Sequence, residues 1–199
     1  MLFLIVLLSL SSFAEEECTT PAVNNTLADC IASSVAIVSK YSDKDDSAEA
    51  TLAATSLFMS EYHNKTDFDP KSAHALIARL KKFANSDKES NKVRSKLWLL
   101  TSGVHGRLAD KLRANGGAEQ GKFALQSLKK SLSFDKTNKD AAIAYATTIT
   151  NLGARGFVAK KFIENALEVK LSNEVKTSLK SMEEAGLTSH PLYSQLKTL

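Results

Sequence analysis

Four histidines, two cysteines and a few carboxylate pairs are the residues of this chain that could do chemistry, and their spacing argues against most of it. No two of His63, His74, His105 and His190 stand at the i, i+4 spacing of a helical zinc site, and the chain has no His-Glu-x-x-His. They read as solvated or partly buried structural histidines, so no metal and no cofactor is expected. Ser127-Leu128-Lys129-Lys130 matches Ser-x-x-Lys but has none of the motifs that accompany it in acyl-transfer enzymes, so Ser127 reads as a packing or surface serine. Gly103-Val104-His105-Gly106 lacks the preceding strand and the Gly-Lys-Ser/Thr of a phosphate loop. Glu183-Glu184 and Asp45-Asp46 are adjacent pairs, which point in different directions on a helix and so read as solvated charges. No catalytic residue is identified, and the expectation is a protein that is not an enzyme.

The two cysteines, Cys18 and Cys30, lie behind an almost unbroken apolar run from Leu2 to Leu10, which ends in Ser11-Ser12-Phe13-Ala14. Small residues at Ser12 and Ala14 read as the cleavage site of a secretory signal over residues 1–14, although no Lys or Arg precedes the apolar run. That run falls short of the roughly 20 apolar residues a bilayer span needs, and no second run of that length follows. In an exported chain an isolated even pair favours a Cys18–Cys30 disulfide, worth about 3 kcal/mol on chain-entropy grounds. It ties an acidic arm, residues 15–25, to the first helix. The alternative, metal ligation by the two thiols, lacks a nearby histidine. Asn24 and Asn64 head glycosylation sequons, which matter only in a eukaryotic secretory pathway. The expected location is the periplasm, with the extracellular medium as the alternative.

Charge is unevenly arranged along the chain. Residues 15–70 carry 11 acidic and 3 basic side chains, residues 71–113 carry 11 basic and 3 acidic, and the remainder carries 12 basic and 8 acidic. On one continuous helix Lys92, Lys96, Arg107 and Lys111 share a stripe. That stripe either serves an acidic partner or faces solvent or the chain's own acidic first third. Nucleic acid is not expected, because few aromatics interleave with the stripe and export removes such partners.

The elements that hold these residues read as helices throughout. Of the 199 residues 43% are apolar, enough for a core, while 8 Gly, 3 Pro and 7% aromatics argue against a loop-rich β-sandwich. Thr26 with Asp29 resembles a capping box, and Ser47 can cap the next helix. Asp69-Pro70 sets an N-cap beside a proline at the first helical position, ahead of Ala73, Leu76, Ile77, Leu80, Phe83 and Ala84 on one face. Val93, Leu97, Leu100, Val104 and Leu108 keep a helical period across Gly103, as one kinked helix or two short ones, until Asn115-Gly116-Gly117 stops it. No run alternates as a strand does. The expected class is all-α, a single helical domain over residues 26–199.

From residue 118 a repeat emerges. Ala124-x3-Leu128-x2-Ser131 returns 35 residues later as Ala159-x3-Ile163-x2-Ala166, with Ala142, Tyr145, Ala146 and Ile149 between them. This pattern over residues 118–186 resembles the tetratricopeptide repeat, with Ala146 where that family usually has glycine and Lys136 in place of the proline of its Asp-Pro turn. A fainter echo pairs Leu80-Lys81-Lys82 and Asp87-Lys88 with Leu128-Lys129-Lys130 and Asp135-Lys136. The resemblance implies antiparallel helix pairs stacked as a short right-handed solenoid, with close helix contacts at Ala124, Ala159 and Ala166. An irregular helical bundle is the alternative. It further implies that Tyr145 and Ile149 frame a concave binding face, with Phe162 and Ala166 in the core behind. The corresponding function is a non-catalytic adaptor holding another protein or peptide. The alternative is a small-ligand or anionic-polymer binder of the cell envelope.

Overall fold

The computed structural model describes residues 47–61 and 68–199. The apolar leader, the acidic arm, Cys18 and Cys30, the Thr26 capping box, Asn24, Asn64 and His63 lie outside the described residues. Among the described residues every regular element is a helix. They run α1 (Ala48–Glu61), α2 (Pro70–Ala84), α3 (Asn91–Leu112), α4 (Gly117–Phe134), α5 (Lys139–Gly153), α6 (Phe157–Leu167), α7 (Leu171–Glu184) and α8 (Pro191–Lys197).

Local chemistry sets most of the starts. Ser47 Oγ accepts from Ala50 N–H at 3.1 Å, and Asp69 Oδ1 accepts from Lys71 N–H at 3.0 Å. Ser90 caps α3 through Val93 N–H, and Asn138 caps α5 through Ala141 N–H. Each satisfies a donor that the first helical turn leaves without a partner. Between α3 and α4 the chain reverses through Gly116 at φ +109°, a conformation open to glycine. At Gly117 a Cβ would stand 2.7 Å from the Ala109 carbonyl oxygen, so the absence of a side chain is what lets the two helices meet there.

The centre of the molecule is α3. It runs unbroken through Gly103, and every residue from Leu97 to Ala109 is buried. A helix covered on all sides is a core helix, whatever its polar content. Helix α2 packs along one side of it and α4 along another, with α1 against both α2 and α3. Ser131 Oγ donates to the Ser95 carbonyl at 2.8 Å, and Asn138 Nδ2 donates to Ser95 Oγ at 2.8 Å, so the small polar residues at this crossing are paired. Further along, α4 packs on α5 and α6, α5 packs on α7, and α8 closes on α5 and α7.

Two expectations from the repeat register are corrected here. Ala124, Leu128 and Ser131 of α4 are buried, but Ala159 of α6 is exposed and Ala166 half-buried. Phe162, expected in the core, is 73% exposed. Helix α6 has only 11 residues and turns Ile163 and Leu167 toward the core instead, which leaves Phe162 on the outer face.

Candidate functional site

The residues singled out for partner binding do not form one surface. Tyr145 and Ile149 are completely buried, enclosed where α5 meets its neighbours, so neither frames an accessible face. The Tyr145 hydroxyl donates to Glu174 Oε2, and Lys129 Nζ donates to Glu174 Oε1 at 2.6 Å, a polar junction of α4, α5 and α7. Burial, with the Glu174 hydrogen bond and charge behind it, pushes the Tyr145 phenol well above its ordinary value.

The basic stripe is divided by the covering of α3. Lys92 and Lys96 are exposed near the start of the helix, while Arg107 is 2% exposed and Lys111 is half-buried with its ammonium 5.8 Å from the Phe68 ring. The spacing was helical, yet only the first turns of α3 face solvent. Burial lowers the Arg107 guanidinium from its ordinary value to about 10, against the opposing charge of Asp110.

A different group of cations converges across α2, α3 and α4. Three pairs of residues seven apart, and so two turns apart on one helix face, line up side by side. They are His74 and Lys81 on α2, Trp98 and His105 on α3, and Phe123 and Lys130 on α4. Lys130 Nζ lies 4.2 Å from the Trp98 ring, and Lys81 Nζ lies 5.6 Å from the Phe123 ring. The same Phe123 ring packs against His105, with centroids 5.4 Å apart. Next to this trough Arg94 stacks 4.1 Å from the Phe134 ring, while its Nε donates to the Ala84 carbonyl at 3.0 Å. Trp98 and His105 form the floor, 2% and 3% exposed, and the lysines form the rims.

The electrostatics of the trough are one-sided. Among the described residues neither Lys81 nor Lys130 forms an ion pair, and each rests on an aromatic face. Burial, with the neighbouring Lys130 charge, lowers the Lys81 ammonium below its ordinary value. Burial lowers His105 to about 4, against the hydrogen bond that its Nδ1 gives to Gln120 Oε1, with Lys81 and His74 adding to the descent. His105 is therefore a neutral imidazole near pH 7. Its Nδ1 stands 2.7 Å from Gln120 Oε1, whereas its Nε2 is buried with no hydrogen-bond partner among the described residues, as is Trp98 Nε1.

Sequence reasoning missed this group because it assigned His105 and Ser127 one by one and traced the cations along one helix. The available signal was the echo of Leu80-Lys81-Lys82 in Leu128-Lys129-Lys130. Both leucines are buried, and one lysine of each pair, Lys81 and Lys130, reaches the trough, while Lys129 turns to Glu174.

Among the described residues no group of three His, Cys, Asp or Glu side chains could hold a metal ion. No described helix is long and apolar enough to cross a membrane. Neither a protein-family model, a curated protein nor a solved structure matches the chain.

Proposed function

We propose that the protein is an exported, non-catalytic scaffold that holds an acidic segment of another protein on the α2–α3–α4 face. The observation that carries this is the placement of Lys81 over Phe123 and Lys130 over Trp98, with no carboxylate paired to either lysine among the described residues, beside Arg94 on Phe134, an arginine whose Nη1 already pairs with Asp87 at 3.2 Å. Cations held on aromatic faces keep their charge available to an incoming anion while the rings supply apolar contact. The packing of α4 on α6 and of α5 on α7 supports stacked, tetratricopeptide-like helix pairs as the frame that holds this face rigid. Export rests on the apolar run Leu2–Leu10 and the small residues Ser12 and Ala14.

The test is binding of a defined glutamate-rich peptide to the full chain, measured by calorimetry. The expected result is saturable binding that weakens with added salt, because exposed charges are screened over about 8 Å at physiological ionic strength. Lys81→Glu with Lys130→Glu should abolish it while the thermal unfolding curve stays in place. Binding unaffected by that double substitution would remove this face from the reading.

A further inference from the structure

The cations of this face gather at one end of the helices. The end of α2 meets the start of α3 where Arg94 Nε donates to the Ala84 carbonyl. The end of α4 meets the same part of α3, where Ser131 Oγ donates to the Ser95 carbonyl at 2.8 Å. Lys81 and Lys130 stand on the last turns of α2 and α4, Lys92 on the first turn of α3, and Lys88 in the connection between α2 and α3. Among the described residues no carboxylate pairs with any of the four. Lys81 also feels the like charge of Lys130, a repulsion that carboxylates brought to this end would offset.

The chain enters the described fold at that same end. Phe58, in the last turn of α1, meets Phe68 edge to face with ring centroids 5.2 Å apart, and Phe68 stands just ahead of the start of α2. Lys111, at the end of α3, lies over the same Phe68 ring. The end of α1 is therefore at the far end from the four lysines. Because α1 packs against both α2 and α3, its start points back toward them. Ala50 and Thr51 in its first turn are buried, so that turn is held against the fold. Asp43-Lys44-Asp45-Asp46 comes immediately before Ser47, and Glu15-Glu16-Glu17 lies further back. Residues 15–46, which lie outside the described residues, carry seven acidic and two basic side chains. At up to roughly 3.5 Å per residue, such a segment is long enough to reach any of the four lysines.

We infer that residues 15–46 of the chain itself dock on the cationic end of α2, α3 and α4, with their carboxylates against Lys81, Lys88, Lys92 and Lys130. The chain's own segment then holds the seat until an acidic partner displaces it. That competition rests on the acidic-partner reading, whereas the contact within the chain does not. A tethered segment competes at an effective concentration on the order of millimolar. A segment that occupies the face nine-tenths of the time lowers the apparent affinity of a competitor about tenfold.

The experiment treats the dilute full chain with a carbodiimide, which joins a carboxylate to an amine in contact with it, and maps the bridged peptides. The expected result is bridges within one chain from residues 15–46 to these lysines, suppressed by added salt. In parallel the glutamate-rich peptide is titrated into the parent and into a variant with Glu15→Gln, Glu16→Gln, Glu17→Gln, Asp43→Asn, Asp45→Asn and Asp46→Asn. The variant should bind the peptide at least tenfold more tightly. A second variant with only the three glutamates changed should show a smaller gain, and it keeps the test open if changes beside Ser47 unfold α1. No bridge to any of the four lysines, or bridges only between two copies, would overturn the contact. Equal peptide affinity in the parent and both variants would overturn it too, while the acidic-partner reading stands. Bridges within the chain with no peptide binding by any of the three proteins would retain the contact and remove the acidic partner.

Discussion

Tyr145 on α5 and Glu174 on α7 meet through a buried hydrogen bond 2.5 Å long, the phenol donating to Oε2, while Lys129 of α4 holds Oε1 of the same carboxylate at 2.6 Å. A completely buried phenol and a nearly buried carboxylate are each costly alone, and the three-way junction satisfies both. Removing one member exposes the cost carried by the others. Glu174→Leu takes the carboxylate acceptor from the buried Tyr145 hydroxyl, beside which the Thr177 hydroxyl remains, and should destabilise by roughly 2–4 kcal/mol, whereas Tyr145→Phe, which leaves Lys129 on Glu174, should cost about 1 kcal/mol. The double substitution should cost less than the sum of the two. Urea unfolding of the four proteins in this cycle measures it, and strict additivity would show that the two side chains do not act together.

The repeat register makes a contrast available within one residue type. Ala142 of α5 is fully buried and Ala159 of α6 is exposed. Ala142→Leu should therefore destabilise by roughly 1–3 kcal/mol through overpacking. Ala159→Leu should stay within about 0.5 kcal/mol of the parent, as surface substitutions do. Urea midpoints decide it. A large loss from Ala159→Leu would return Ala159 to a helix contact and restore the register read from the sequence.

What could be read in advance was mostly local. The Asp69-Pro70 start, the Ser47 cap and the apolar face of α2 depend on neighbours within a turn, and each stands where the spacing put it. The stop expected at Asn115-Gly116-Gly117 comes earlier: α3 ends at Leu112 with Arg113 at φ +44°, and the left-handed Gly116 instead opens α4. Periodicity gives which residues share a face, but not how many other helices cover that face. That is why Lys92 and Arg107, on one helical stripe, end in opposite environments. Tyr145 shows the same limit: the repeat register set it on a binding face, yet it is fully buried, and its partner Glu174 lies 29 residues away on another helix. The trough was less legible still, because Lys81, His105 and Lys130 meet only through the antiparallel alignment of α2 with α3 and of α3 with α4.

His105 gives the fold a pH dependence with a defined sign. Its folded value of about 4 lies below the ordinary 6.5, first through burial, opposed by Gln120 from α4, with Lys81 and His74 of α2 adding to the descent. Above about 6.5 neither folded nor unfolded chain protonates the ring, and its contribution is intact. As pH falls toward 4 the unfolded chain takes up a proton that the folded chain excludes, so stability declines, by roughly 3 kcal/mol at pH 4. Urea unfolding at pH 7 and pH 4 should show this loss in the parent, and His105→Gln should be less sensitive to pH by about that amount. Equal pH sensitivity in both proteins would mean that His105 titrates normally in the folded state.

The division of the basic stripe predicts opposite behaviour for two of its members. Arg107 is buried, and its Nε and Nη2 have no hydrogen-bond partner among the described residues, so its charge is desolvated and the opposing charge of Asp110 offsets this only in part. A buried charge so poorly compensated can be replaced by an apolar side chain of similar length without loss. Arg107→Met should thus leave stability unchanged or raise it by about 1–3 kcal/mol. Arg107→Glu, which places an opposite charge in the same enclosed position, should destabilise by at least roughly 3 kcal/mol. Lys92→Glu, on an exposed turn, should change stability by less than about 0.5 kcal/mol. Peptide binding separates this stripe from the trough: Arg107→Met should keep full affinity for the glutamate-rich peptide, because Arg107 is inaccessible to it. Loss of peptide affinity in Arg107→Met, with its unfolding curve unchanged, would move the acidic partner from the trough to the stripe.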